Sequence, residues 1–84
     1  MSDALPPLPQ DPRPGRYRHY KGNEYIVEGL ARHSETLEVL VVYRACYGDT
    51  TARWVRPRDM FQEELEINGI RRPRFERLPD EARA

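Results

Sequence analysis

Eighty-four residues carrying 14 basic and 14 acidic side chains, with no formal net charge, allow one small domain and exclude strong long-range attraction to nucleic acid or an anionic membrane. A domain of this size buries only about 60% of the surface its unfolded chain exposes, so a shallow groove is expected rather than a deep enclosed active site. The lone cysteine, Cys46, excludes an intramolecular disulfide; no signal-peptide pattern or apolar run of ~18 residues is present, so the expected location is the cytoplasm.

Residues Met1 to Pro14 hold five of the eight prolines. With few amide donors and little apolar surface, residues 1–14 are expected to be a disordered leader. Within it, Pro6-Pro7-Leu8-Pro9 fits the short P-x-x-P pattern read by aromatic grooves, although a solvated segment has the same composition.

From Gly15 onward the period is two. Gly15 to Tyr20 is predicted as a strand with Tyr17 and His19 on one face and Arg16, Arg18 and Tyr20 on the other. Lys21-Gly22-Asn23 reads as a turn. Glu24 to His33 then sets Tyr25 and Val27 against Glu24, Ile26 and Glu28, with a bulge expected at Gly29. After a turn at Ser34-Glu35-Thr36, Leu37 to Arg44 places Leu37, Val39, Val41 and Tyr43 on one face and Leu40 and Val42 on the other. Apolar residues on both faces mark the most buried strand.

A loop over Cys46 to Ala52 leads to a brief strand, Arg53 to Arg56. Pro57, with fixed φ and no amide hydrogen, suits the first position of a helical turn through Phe61. Glu64 to Ile67, Asn68-Gly69 and Ile70 to Phe75 form the sharpest local pattern, a type I′ hairpin with Ile67 opposite Ile70 and Glu66 opposite Arg71. A flexible tail is expected over 79–84. The whole predicts a mainly-β fold: an SH3-like barrel of about five or six short antiparallel strands with one helical turn, spanning 15–78.

Several ordered motifs resemble the bacterial domain-of-unknown-function family 1653 (DUF1653). They are Tyr17-Arg18-His19-Tyr20-Lys21-Gly22, Ala31 to Glu38, Val42-Tyr43-Arg44-Ala45, Tyr47-Gly48-Asp49 and Trp54-Val55-Arg56-Pro57, followed by Met60-Phe61, Asn68-Gly69 and Pro73-Arg74-Phe75. The resemblance implies an SH3-like barrel and no settled activity. Cys46 stands where the family usually has an aliphatic residue, which assigns it to packing. The loop from Asp49 to Arg53 departs from the shorter, Gly-bearing loop expected before the Trp.

Three groupings bear on chemistry. His33-Ser34-Glu35-Thr36 unites an imidazole, a hydroxyl and a carboxylate, but neighbours in a tight turn point apart and such residues bond their own backbone. His19, His33 and Cys46 lack the paired spacing of a zinc site, so no metal or cofactor is expected. Tyr43-Arg44, Tyr47 and Trp54-Val55-Arg56 are the strongest grouping: an aromatic beside a guanidinium stacks planar groups while the Arg pairs an anion. Arg71, Arg72 and Arg74 are expected to be neutralised by Glu63, Glu64 and Glu66.

The candidate binding residues are therefore Tyr43, Arg44, Tyr47, Trp54, Arg56, His19, His33 and Glu35. The expected function is a non-enzymatic interaction module for a peptide or other planar, partly anionic ligand. One alternative is single-stranded nucleic-acid binding, with Arg18, Arg44, Arg56 and Arg58 on phosphates. The other is an enzyme or enzyme accessory using His19, His33 or Glu35 as acid or base.

Overall fold

A computed structural model describes residues 5–79. The first four residues of the expected leader and all of the expected tail beyond Pro79 lie outside the described residues. The elements run β1 (Gly15–His19), β2 (Glu24–Arg32), β3 (Val39–Ala45), β4 (Trp54–Pro57), α1 (Arg58–Phe61), β5 (Glu64–Ile67), β6 (Ile70–Pro73) and β7 (Phe75–Arg77). Five strands make an antiparallel sheet in the order β4-β3-β2-β1-β7, and β5 and β6 pair separately.

Alternation sets the faces of the large sheet. Tyr17 pairs with Tyr25 and Arg77, and Val27 with Tyr43. One row of side chains therefore turns inward along each strand. Beyond Val27 the phase would bring Gly29 inward, but a bulge between Val27 and Gly29 shifts the register and sets Leu30 opposite Val41. The extra residue returns an apolar side chain to the core, against which Leu30 packs. The bulge is where the sequence predicts it.

The core consists of Tyr17, Val27, Val41, Tyr43, Phe61 and Phe75, with Tyr25 packed against it. α1 is a single turn, beginning one residue after Pro57, and its role is to lay Phe61 over the sheet. Phe61 and Phe75 stack at 4.1 Å with planes 4° apart, and Tyr17 meets Phe61 edge-on at 5.5 Å. Aromatic area supplies the bulk that so short a chain could not assemble from aliphatic residues alone.

The β5–β6 hairpin has the predicted register, Ile67 with Ile70 and Glu66 with Arg71, and Asn68 and Gly69 take φ of 54° and 79°. Neutralisation is diagonal for Arg71, which pairs with Glu64 at 3.2 Å, and directly across just beyond the hairpin for Arg74, which pairs with Glu63 at 2.8 Å.

Three expectations need correction. Ile70 to Phe75 is two strands, because Pro73 ends β6 and Arg74 turns the corner between sheets. The Arg74 amide donates to the Glu63 carbonyl, and its own carbonyl accepts from the Tyr20 amide. Leu37 is not the start of β3; it sits exposed in the turn with φ of 65°. Its amide instead donates to the His33 carbonyl, closing a helical turn. Finally, hydrogen bonding does not close a barrel. The sheet ends at β4 and β7, and the Arg56 guanidinium of β4 lies 5.5 Å from the ring centroid of Phe75 in β7.

Residues 5–14 contain no strand or helix, yet side chains of the domain hold their carbonyls. Arg32 donates to Pro6 at 2.6 Å, Arg58 to Asp11 at 2.6 Å, Tyr17 to Arg13 at 2.9 Å and Arg77 to Pro14 at 3.2 Å. Pro12 is buried. No helix among the described residues is long and apolar enough to cross a membrane.

Candidate functional site

At the end of the sheet where Tyr25 pairs with Ala45 and Tyr43 with Trp54, the inward rows of β2, β3 and β4 emerge from the core. The β3–β4 loop folds back over them. The result is a pocket of about 270 Å³ lined by Tyr25, Tyr43, Ala45, Tyr47, Gly48, Asp49 and Trp54. Tyr43 is buried and forms its floor, whereas Tyr47 and Trp54 are 49% and 55% exposed. Tyr25 stands edge-to-face with both other tyrosines, at 5.5 Å and 81° to Tyr43 and at 5.9 Å and 76° to Tyr47. The walls thus meet at corners.

The hydroxyls of Tyr25 and Tyr47 share a hydrogen bond of 3.0 Å. Burial of Tyr25, then that hydrogen bond and the neighbouring phenol, push the Tyr25 pKa up to about 12. The Tyr43 hydroxyl accepts from the Arg56 Nε at 3.3 Å. Among the described residues Asp49 is the only acidic one in the lining. One of its oxygens accepts from the Thr51 hydroxyl at 2.6 Å and the Thr51 amide at 2.9 Å. These bonds, the hydroxyl's first, lower the Asp49 pKa below its ordinary value. The carboxylate is therefore charged at neutral pH, and the same bonds shape the loop that carries Tyr47 across the pocket.

Residues 15–77 match the family described as protein of unknown function, DUF1653. The chain belongs to DUF1653. It is also similar to a crystal structure of a protein belonging to DUF1653 from Bordetella bronchiseptica, with a TM-score of 0.74 and 41% sequence identity, covering 82% of this chain and 90% of that one. Comparison with curated proteins gave no match.

The candidate residues separate in this DUF1653 fold. Tyr43, Tyr47 and Trp54 come together in the pocket. Arg56 shares their strand face but does not line the pocket; it lies over Phe75. Arg44 is on the opposite face, where Glu28 pairs with it at 2.9 Å and with Arg53 at 2.8 Å. The Glu28 pKa is lowered, chiefly by the Arg53 hydrogen bond.

His33 and Glu35 belong to the other end of the sheet, beyond the Arg32–Val39 pair. Seven residues of strand put them roughly 20 Å from the pocket. There the His33 Nδ1 accepts from the amides of Glu35 and Thr36 at 3.0 and 3.3 Å, so the imidazole caps the turn. His19 packs on Tyr20 at 4.5 Å and on Phe75 at 4.9 Å. Burial, then Arg74, Arg56 and Lys21, lower its pKa. His19, His33 and Glu35 are thus not brought into one acid–base group. Among the described residues no three His, Cys, Asp or Glu side chains are grouped to hold a metal.

Sequence reasoning missed Tyr25 and Asp49 as pocket residues. Tyr25 was legible as an inward residue, but its place beside Tyr43 depends on the β2–β3 register. Asp49 follows Tyr47 by two residues, yet only the loop's Asx-type closure on Thr51 aims it at the pocket.

Proposed function

We propose that this chain is a binding module whose ligand is a peptide, seated by one side chain in the pocket of Tyr25, Tyr43, Tyr47 and Trp54. The observation that carries the reading is the exposure of Trp54. A half-exposed indole beside a half-exposed Tyr47, on a cavity floored by a buried Tyr43, is apolar area poised to be covered by a partner. Arg44 is committed to Glu28 and Arg56 faces Phe75. The peptide half of the sequence expectation therefore has more support than the anionic half. For its location we propose the cytoplasm, where a free thiol such as Cys46 stays reduced.

The test uses Trp54 as its own reporter together with amide chemical shifts of the labelled full chain. Lysine-rich decapeptides, unmodified and N-methylated, proline-rich decapeptides, choline and an oligothymidine strand are titrated separately. Peptide binding that moves Tyr25, Tyr47 and Trp54 supports the proposal. Salt-sensitive oligothymidine binding centred on Arg18, Arg53 or Arg72, without a peptide response, replaces it with nucleic-acid binding. No response of the pocket to any probe at millimolar concentration overturns it.

A further inference from the structure

We propose that the pocket is a cage for a methylated ammonium group, the head of an N-methylated lysine in the partner peptide. This rests on the binding-module reading and specifies what that site takes. Among the described residues four aromatic side chains and one carboxylate line the pocket, and none of the lining residues is cationic. Ring faces carry the negative lobe of the aromatic quadrupole, so converging rings attract a cation, and cages of this composition suit quaternary ammonium groups.

Shape favours a round head over a planar one. Tyr43 and Tyr47 stand at 81° and 76° to Tyr25, which makes corners; a stacked base or a flat ring needs a parallel-walled slot. Charge favours a cation. Asp49 forms no ion pair among the described residues. Arg56, on the same strand face as Trp54, is engaged by Phe75 and the Tyr43 hydroxyl and lies outside the lining.

Hydrogen-bond capacity selects the methylated form. An unmodified lysine head brings three N–H donors that need acceptors. The Tyr25 and Tyr47 hydroxyls are bonded to one another, the Tyr43 hydroxyl accepts from Arg56, and one Asp49 oxygen serves Thr51, which leaves the second Asp49 oxygen as the strongest remaining acceptor for three donors. Methyl groups make no such demand and pack against ring faces.

The experiment compares three peptides identical except at one central side chain: trimethyl-lysine, lysine, and the neutral isostere with carbon in place of the charged nitrogen. Binding is read from Trp54 fluorescence and amide shifts. Trimethyl-lysine is expected to bind about fivefold or more tighter than the neutral isostere, and tighter than lysine. Asp49→Asn, which keeps an oxygen for Thr51, should weaken trimethyl-lysine binding severalfold. Equal binding of the neutral isostere overturns the cation assignment while the binding module stands. Binding of free choline but of no peptide overturns the peptide assignment. Silence of the pocket to all three peptides and to choline overturns both.

Discussion

The hydroxyls of Tyr25 on β2 and Tyr47 in the β3–β4 loop meet at 3.0 Å, and this contact joins a strand that belongs to the core to a loop that does not. It fixes the pocket's outer wall. Tyr47→Phe removes the bond while keeping the ring, and should lower stability by about 0.5–1.5 kcal/mol in urea denaturation. The same variant should lower the Tyr25 pKa from about 12 while burial keeps it above 10, as read by ultraviolet phenolate titration.

The sign of the pH dependence follows. Tyr25 is protonated in the fold up to a pKa of about 12 against an ordinary 10.0. Its contribution to stability is therefore full below pH 10 and is lost as pH rises toward 12. In Tyr25→Phe the unfolding free energy, from urea denaturation followed by circular dichroism, should fall less steeply between about pH 10 and 12 than in the wild type; an equal slope there would show the assignment to be wrong.

Trp54 and Tyr43 are opposite one another in the β3–β4 ladder but should respond differently to truncation. Trp54 is 55% exposed and Tyr43 7%. Trp54→Ala should cost about 1 kcal/mol or less and abolish ligand binding, whereas Tyr43→Ala should cost about 3 kcal/mol or more. A Trp54→Ala protein that unfolds as readily as Tyr43→Ala would show the indole to be structural.

Leu37 adopts φ of 65° while 46% exposed, so its side chain adds little packing to offset a left-handed backbone. Leu37→Gly removes a steric cost of about 1–2 kcal/mol and adds roughly 0.5–1 kcal/mol of unfolded-state entropy. A net gain of about 0.5–1 kcal/mol is expected, visible as a higher Tm. A fall in Tm would mean that Leu37 has a packing role.

Phe61 is buried to 1% and stacks on Phe75. Phe61→Ala should cost about 3–5 kcal/mol, a large part of the stability of so small a domain. Loss of cooperative thermal unfolding is the expected readout.

Local chemistry was legible wherever it decided the outcome. Asn68-Gly69 specified its hairpin, Gly29 its bulge, and alternation the faces of Tyr17, Tyr25 and Tyr43. Leu37 was misread because an apolar residue in phase with Val39 and Val41 fits a strand, and nothing local announces that His33 will cap a helical turn beneath it. The Arg74 corner depends on partners at Glu63 and Tyr20, remote in sequence. Likewise Arg44 and Arg56 look equivalent beside their aromatics, and only the opposite faces they occupy commit one to Glu28 and the other to Phe75.

The β1–β7 ladder pairs Tyr17 with Arg77 and His19 with Phe75, which gives folding a late step. A nascent chain can form β1 to β4 and the β5–β6 hairpin, but it lacks the Phe75 face on which Phe61, Tyr25 and His19 pack. Closure of the core must then wait for the last of the seven strands among the described residues, through a contact of high sequence separation. The same adjacency leaves the ends of the domain side by side. A circular permutant joined there and reopened at Asn68-Gly69 would convert that late contact into a local one, and should fold faster.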